Sequence, residues 1–293
     1  MHHLRTIARS RTFLVLFVAL SAVVPVVTLQ RLPHLSPWPV ALGVAPWLVG
    51  KYLLCPLRWR ALTPPGRSRW WHVRAYAEGE LLGLLTPGHV GADVWRVHRL
   101  TRTDLGRGDA ILSVGSDRLV GALGLTAFVA FAGTALPVRM ALVACGVTVL
   151  ALVAALVVRR VRPDLLPRRP LPPPRQLATA LALSAGYQLS IAALLMGTID
   201  ATGHDLSPLA VLGAFGASQL AGAVPGPNGA SPRDGALVAA LMALGIPWQA
   251  ALAAVAVKAA VAWVPALVLG GVSLLLTRRA LRAAAGGGVP RVA

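Results

Sequence analysis

The sequence predicts an all-α, polytopic integral membrane helix bundle of about six full spans with two further re-entrant, broken-helix hairpins. Three observations predict it. Of the 293 residues, 56% are hydrophobic and only 13% charged, where a soluble domain carries about a quarter charged residues. The mean hydropathy is +0.68. The apolar residues are gathered into runs of about 20, the length that crosses the hydrocarbon core as a helix. A net charge of +18, from 28 Lys and Arg against 10 Asp and Glu, would suit a nucleic-acid binder, but apolar runs of this length exclude that class. A separate soluble catalytic domain is not expected.

Runs of spanning length lie near 12–29, 38–57, 110–133, 138–158, 176–199 and 249–276. The first follows Arg5, Arg9 and Arg11 as a signal peptide would, but it has no small-x-small cleavage site and is expected to remain as a span. Two further stretches, near 78–98 and 208–246, are apolar yet interrupted by Pro, Gly and polar residues, which a lipid-facing helix does not tolerate. They are expected to be the re-entrant hairpins. A Pro/Arg-rich linker, 162–175, separates half-repeats of about 38–160 and 176–277 within one transmembrane domain, 1–293.

Sidedness follows from the basic residues, because short loops rich in Lys and Arg stay cytoplasmic. With both termini inside, the inner segments hold 22 of the 28, including Arg58, Arg60, Arg67, Arg69 and Arg74 after the second span; outer loops hold Arg31, Arg139 and Arg233. Trp38 and Trp248 are then expected at the outer interface, and Trp59, Trp70 and Trp71 at the inner one, as amphipathic rings prefer.

The two broken stretches share a pattern. The first contains PGHVG, Pro87, Gly88, His89, Val90 and Gly91; the second contains PGPNG, Pro225, Gly226, Pro227, Asn228 and Gly229. Each precedes, about thirty residues on, a basic residue inside a span, Arg118 in one half and Lys258 in the other. Three spans lie between the motifs, so the second copy is inverted, a recurring transporter design. Proline ends a helix and glycine lets the backbone turn, and the freed N–H and C=O groups must face protein or a hydrated cavity.

Ionisable residues within the bilayer are expensive and usually face the bundle interior. Glu80, Asp93, Arg96, Asp117, Arg118, Asp234 and Lys258 are the candidates to line such a cavity. Asp117 and Arg118, adjacent on a helix, do not pair with each other; Arg118 is expected to meet Asp93 or Glu80, and Lys258 to meet Asp234. Lys51 and Glu78 are expected to snorkel at the cytoplasmic interface. Cys55 and Cys145 read as small core residues. No metal-ligand spacing, recognised phosphate loop or nucleophile with a partner His is present in the sequence, and no cofactor is expected.

The segments LLTPGHVGADVWRVHRL at 84–100, VGSDRL at 114–119 and AVPGPNGASPRDGALVAALMALGI at 223–246 resemble the membrane domain of the lysylphosphatidylglycerol synthase and flippase family. The family pattern of a Pro-Gly turn followed by Gly-Gly-Asp-x-x-Arg stands here as Gly91, Ala92, Asp93 and Arg96; the acid-Arg pair is Asp117 and Arg118; the basic residue of the last long span is Lys258. Pro227 replaces a usual Gly, and Pro232 occupies an expected Glu, with Asp234 the nearest acid. The resemblance implies a multi-pass bacterial inner-membrane protein that moves an anionic or lipid-linked headgroup between leaflets, with membrane lipids as partners and without the family's synthase activity. Two alternatives stand beside it: a membrane-embedded lipid or glycolipid transferase with Asp93 or Glu80 as base, and a noncatalytic subunit anchoring a soluble transferase.

Overall fold

The computed structural model describes residues 35–86, 89–103, 105–132, 172–220 and 231–286, with isolated positions within 19–30 and 153–161. The expected spans at 12–29 and 138–158 and most of the 162–175 linker lie outside the described residues. All regular structure among the described residues is helical.

Helix α1 runs Pro37–Leu62 and holds a π turn at Gly50–Leu54. Proline opens it, where a missing N–H is harmless. Next come α2 (Arg69–Leu84), α3 (Val90–Thr101) and α4 (Arg107–Ala132). After the central gap follow α5 (Pro174–Asp200), α6 (Pro208–Leu220), α7 (Pro232–Ala243) and α8, which begins at Trp248, passes through a second π turn at Ala266–Gly270 and ends at Gly286. Each π turn has a proline beside it, Pro56 or Pro265; a proline cannot donate to the helical ladder, and the ladder deforms around it.

Among the described residues three helices are long and apolar enough to cross a membrane: α1, α5 and the Trp248–Arg279 part of α8. Their outer faces carry exposed large apolar side chains, among them Leu42, Leu189, Leu267, Val268 and Leu275, a surface suited to hydrocarbon. At 26 residues α4 is as long, but Asp109, Asp117 and Arg118 interrupt it.

Helices α2 and α3, of 16 and 12 residues, extend only about 24 and 18 Å, short of the ~30 Å core. They fold back on each other as an antiparallel hairpin: a side chain on Gly79 would meet Ala92, and one on Gly91 would meet Leu82. Ser68 caps the start of α2 by accepting the Trp71 N–H. In the second half, α6 and α7, of 13 and 12 residues, pack together as a pair of similar length. The two broken stretches of the sequence are thus short helix pairs.

Among the described residues two large apolar cores, and a small third one of Leu62, Val120 and Ala180, hold the bundle. One joins α1, α5, α6, α7 and α8 through Trp47, Leu194, Phe215, Leu237 and Val255. The other joins α1, α2, α3 and α4 through Trp59, Tyr76, Leu100 and Val114. Trp59, expected at an interface, is fully buried, and its indole donates to Ser113 Oγ at 3.1 Å. Trp38, Trp70 and Trp248 are exposed, as interfacial rings would be. Between α1 and α5 the backbones nearly touch: a Cβ on Gly197 would lie 2.3 Å from the Pro39 carbonyl oxygen, and one on Gly43 2.6 Å from that of Ala193. Small residues at helix contacts are how membrane bundles gain close packing.

Replacing Gly197 with Val should force α1 from α5 and lower the melting temperature in detergent, at a cost of about 1–3 kcal/mol for an overpacked contact. Replacing Gly271 with Ala, where an added Cβ meets nothing within 4 Å, should leave the temperature unchanged or raise it. Equal melting temperatures for the two variants would contradict this packing.

Candidate functional site

The turn of the first hairpin is shaped by three residues, Thr86, His89 and Gly91. Thr86 donates its hydroxyl to the Leu82 carbonyl at 3.0 Å and accepts the Gly91 N–H at 2.7 Å, so one side chain closes α2 and opens α3. Gly91 has no room for a Cβ, which would sit 2.5 Å from the Leu82 carbonyl oxygen. His89, between them, takes a left-handed conformation with φ 62°, uncommon for a residue other than glycine. Pro87 and Gly88 lie outside the described residues, as do Pro225, Gly226, Asn228 and Gly229 of the second motif.

Beyond the turn, an unbroken chain of ion pairs links three helices. Asp117 on α4, 1% exposed, accepts from Arg58 Nε on α1 and from a terminal nitrogen of Arg96 on α3, each at 2.7 Å. Arg96 also pairs with Asp93 one turn earlier. Asp93 in turn receives Arg118 Nε at 3.0 Å. Asp117 and Arg118, neighbours in sequence, thus serve different partners, as helix geometry requires. Room for Arg58 comes from Gly121, where a Cβ would stand 3.1 Å from the guanidinium; Ser184 on α5 accepts a further N–H from it at 3.3 Å. Three arginines against two aspartates leave the chain one positive charge in excess. Burial differs along it: the Arg58 and Arg96 side chains are 7% and 3% exposed, Asp93 32% and Arg118 49%. The chain therefore has a dry end and an open end.

A second cluster adjoins it. Glu80 Oε2 accepts from Lys51 Nζ at 2.7 Å and lies 3.0 Å from His89 Nε2. Lys51 sits in the π turn of α1, over the rings of Tyr76 and Tyr187. The Tyr76 ring also receives Arg96, so one aromatic side chain borders both clusters.

A third cluster ties the hairpin to the last helix. Glu78, fully buried, accepts from Trp95 Nε1, from the hydroxyls of Ser273 and Thr277, and pairs with Arg99. Two expectations are corrected by these contacts. Lys51 and Glu78 do not snorkel, because each has a buried partner that compensates its charge, and Arg58 is not a loop residue, because Asp117 holds it inside.

In the second half, Asp234 caps α7: it accepts the Ser231 N–H and hydroxyl while Ser231 Oγ accepts the Asp234 N–H. Its other oxygen receives Lys258 Nζ at 2.9 Å. The halves therefore share one relation. An acid in the first turn of the second short helix, Asp93 or Asp234, binds a cation on the next helix, Arg118 or Lys258, 25 or 24 residues on. Among the described residues no group of three His, Cys, Asp or Glu side chains is arranged to hold a metal ion.

The model of the lysylphosphatidylglycerol synthase transmembrane region matches residues 6–270 of the 293. The chain belongs to that family. No curated protein and no solved structure matches it. Lysylphosphatidylglycerol synthase transmembrane-region membership, with the apolar helices, makes this a membrane protein tied to lipid handling. The family match spans the hairpin, the ion-pair chain and the Asp234–Lys258 pair.

Converting Asp117 to Asn keeps its shape but strands two buried guanidinium groups. Removing one side of a buried pair costs about 3–5 kcal/mol. Asp93→Asn, at the open end, should cost less. Thermal unfolding of both variants in detergent checks the order, and an Asp93 variant as unstable as the Asp117 variant would contradict a dry and an open end.

Proposed function

We propose that the protein is a flippase-like lipid transporter that takes an anionic headgroup at the open end of the ion-pair chain and passes it between leaflets, acyl tails remaining in lipid. The observation that carries this reading is Arg118, half-exposed in the middle of the 26-residue α4 and paired with the partly exposed Asp93 of α3. A guanidinium at that depth is stable only beside water, protein acceptors or an anion, not beside hydrocarbon. Arg118 has one acid that it shares with Arg96, and the chain as a whole carries the positive excess that a phosphate would neutralise. Arg96 Nε, buried without an acceptor among the described residues, adds a further donor to the same locality.

In this reading α2–α3 and α6–α7 are the re-entrant hairpins of an inverted repeat, about 38–160 and 176–277. The matching short lengths and the repeated acid-to-cation relation support it. Lys258 and Asp234 form the equivalent site of the second half; Glu80 and Gly91 shape the first. The membrane is taken as a bacterial inner membrane with both termini cytoplasmic, which the skewed placement of arginine supports.

Translocation of a fluorescent phosphatidylglycerol in reconstituted vesicles tests the proposal. Arg118→Gln removes a charge-assisted contact of about 1.5–3 kcal/mol and should slow translocation about tenfold or more. Arg102→Gln, altering an exposed arginine in the turn after α3, should leave it unchanged. A folded Arg118 variant that translocates at the original rate would overturn the assignment.

A further inference from the structure

We infer that His89, Glu80 and Lys51 form a proton-binding centre that couples proton uptake to anion uptake at the neighbouring arginine chain. The inference rests on the headgroup site proposed above and adds a second ligand, the proton.

The imidazole is seated by two unusual features. His89 has the left-handed backbone that an asparagine or glycine adopts more readily. Its ring fills a slot that exists only because residue 83 is glycine: a Cβ there would lie 2.6 Å from the ring atoms Cε1 and Nε2. A strained backbone and an omitted side chain together direct Nε2 at the Glu80 carboxylate, 3.0 Å away. Strain of this kind concentrates where a particular orientation is needed.

The chemistry follows from donors and acceptors. Glu80, bound to the Lys51 ammonium at 2.7 Å, is an ionised carboxylate and can only accept. Nε2 of His89 must then carry the hydrogen, which leaves Nδ1 as the base that takes a proton from water. Histidine is the side chain suited to such a change near neutral pH. Exposure is graded in the right sense: the carboxylate side chain is 7% exposed, Lys51 17% and the imidazole 29%, so the proton acceptor is the outermost of the three.

With the imidazole neutral, Lys51 and Glu80 cancel and the cluster carries no net charge. With it protonated, two cations share the single oxygen Glu80 Oε2 and the cluster is left at +1. Among the described residues, the other titratable and charged groups nearby are Tyr52 and Cys55 on α1, Tyr76 and Tyr187 against Lys51, and, along the helix that His89 opens, Asp93 and Arg96, with Arg118 and Asp117 bound to them. That neighbouring chain already has a positive excess, and Arg96 and Lys51 lie against the same Tyr76 ring. A proton added at His89 therefore raises a positive potential that only an anion relieves. Binding free energies are reciprocal, so the proton tightens the anion and the anion tightens the proton.

The test uses the full chain in phosphatidylcholine nanodiscs with short-chain phosphatidylglycerol as probe, at pH 5.5 and pH 8. The original protein should bind the probe about fivefold or more tightly at the lower pH. His89→Asn, which keeps a residue tolerant of the left-handed backbone, should bind with equal affinity at both. Histidine-selective NMR of the unaltered protein supplies a second readout, in which the probe should move the His89 titration to higher pH. A pH-independent affinity in the original protein, a His89 variant that keeps the pH dependence, or a titration that the probe does not move would each overturn the coupling while leaving the headgroup site standing. Failure of the original protein to bind the probe at either pH would remove the headgroup site and the coupling together.

Discussion

Asp117 is the interaction on which the rest of the first half depends. A carboxylate 1% exposed cannot stay ionised inside a bundle unless its charge is met at close range, and two guanidinium groups meet it from two other helices. The requirement works in both directions, since Arg58 and Arg96 are buried only because Asp117 is there. Three helices are thereby fixed in rotation as well as position: a turn of any one would leave a charge without its partner. The glycine at 121 and the serine at 184 are the local adjustments that make room for and complete the Arg58 guanidinium.

The hairpin then hangs from this anchor and from two others. Arg96 ties α3 to the centre, Glu80 ties α2 to the π turn of α1, and Glu78 ties α2 to Ser273 and Thr277 on α8. Two helices too short to span a membrane cannot rely on lipid contact to hold them, and polar fastening to the long helices replaces it. One member of the network, Arg118, is left half open, so the same contacts that hold the hairpin also aim a cation at space. Structure and proposed function use one set of residues.

Much of this was legible in the sequence, and the rest has physical reasons for being hidden. The bounds of α1, α4, α5 and α8 follow apolar runs, because hydrocarbon thickness sets helix length. The two short pairs follow from Pro and Gly within apolar segments. The pairs Asp93–Arg118 and Asp234–Lys258 were foreseeable, since each joins an acid at a motif to the cation of the next span. Arg58 was not: in LRWR, next to Trp59 and Arg60, it has the composition of an interfacial helix end, and only its partner 59 residues away shows otherwise. Glu78 was hidden in the same way, its hydroxyl donors lying 195 and 199 residues downstream. Lys51 was misread because nothing local reveals that a π turn carries it toward Glu80.

The central claim is that the exposed end of the ion-pair chain opens on water within the membrane. Gly115, three residues before Arg118 on α4, is exposed and has open space where a Cβ would be added. Gly115→Cys and, as a lipid-facing reference, Leu189→Cys in protein otherwise lacking cysteine can be exposed to a charged, membrane-impermeant methanethiosulfonate reagent in vesicles. The account predicts rapid labelling of position 115 and none of position 189, because the reagent attacks a thiolate and thiolates require water. An unlabelled position 115 from both faces of the membrane would contradict it.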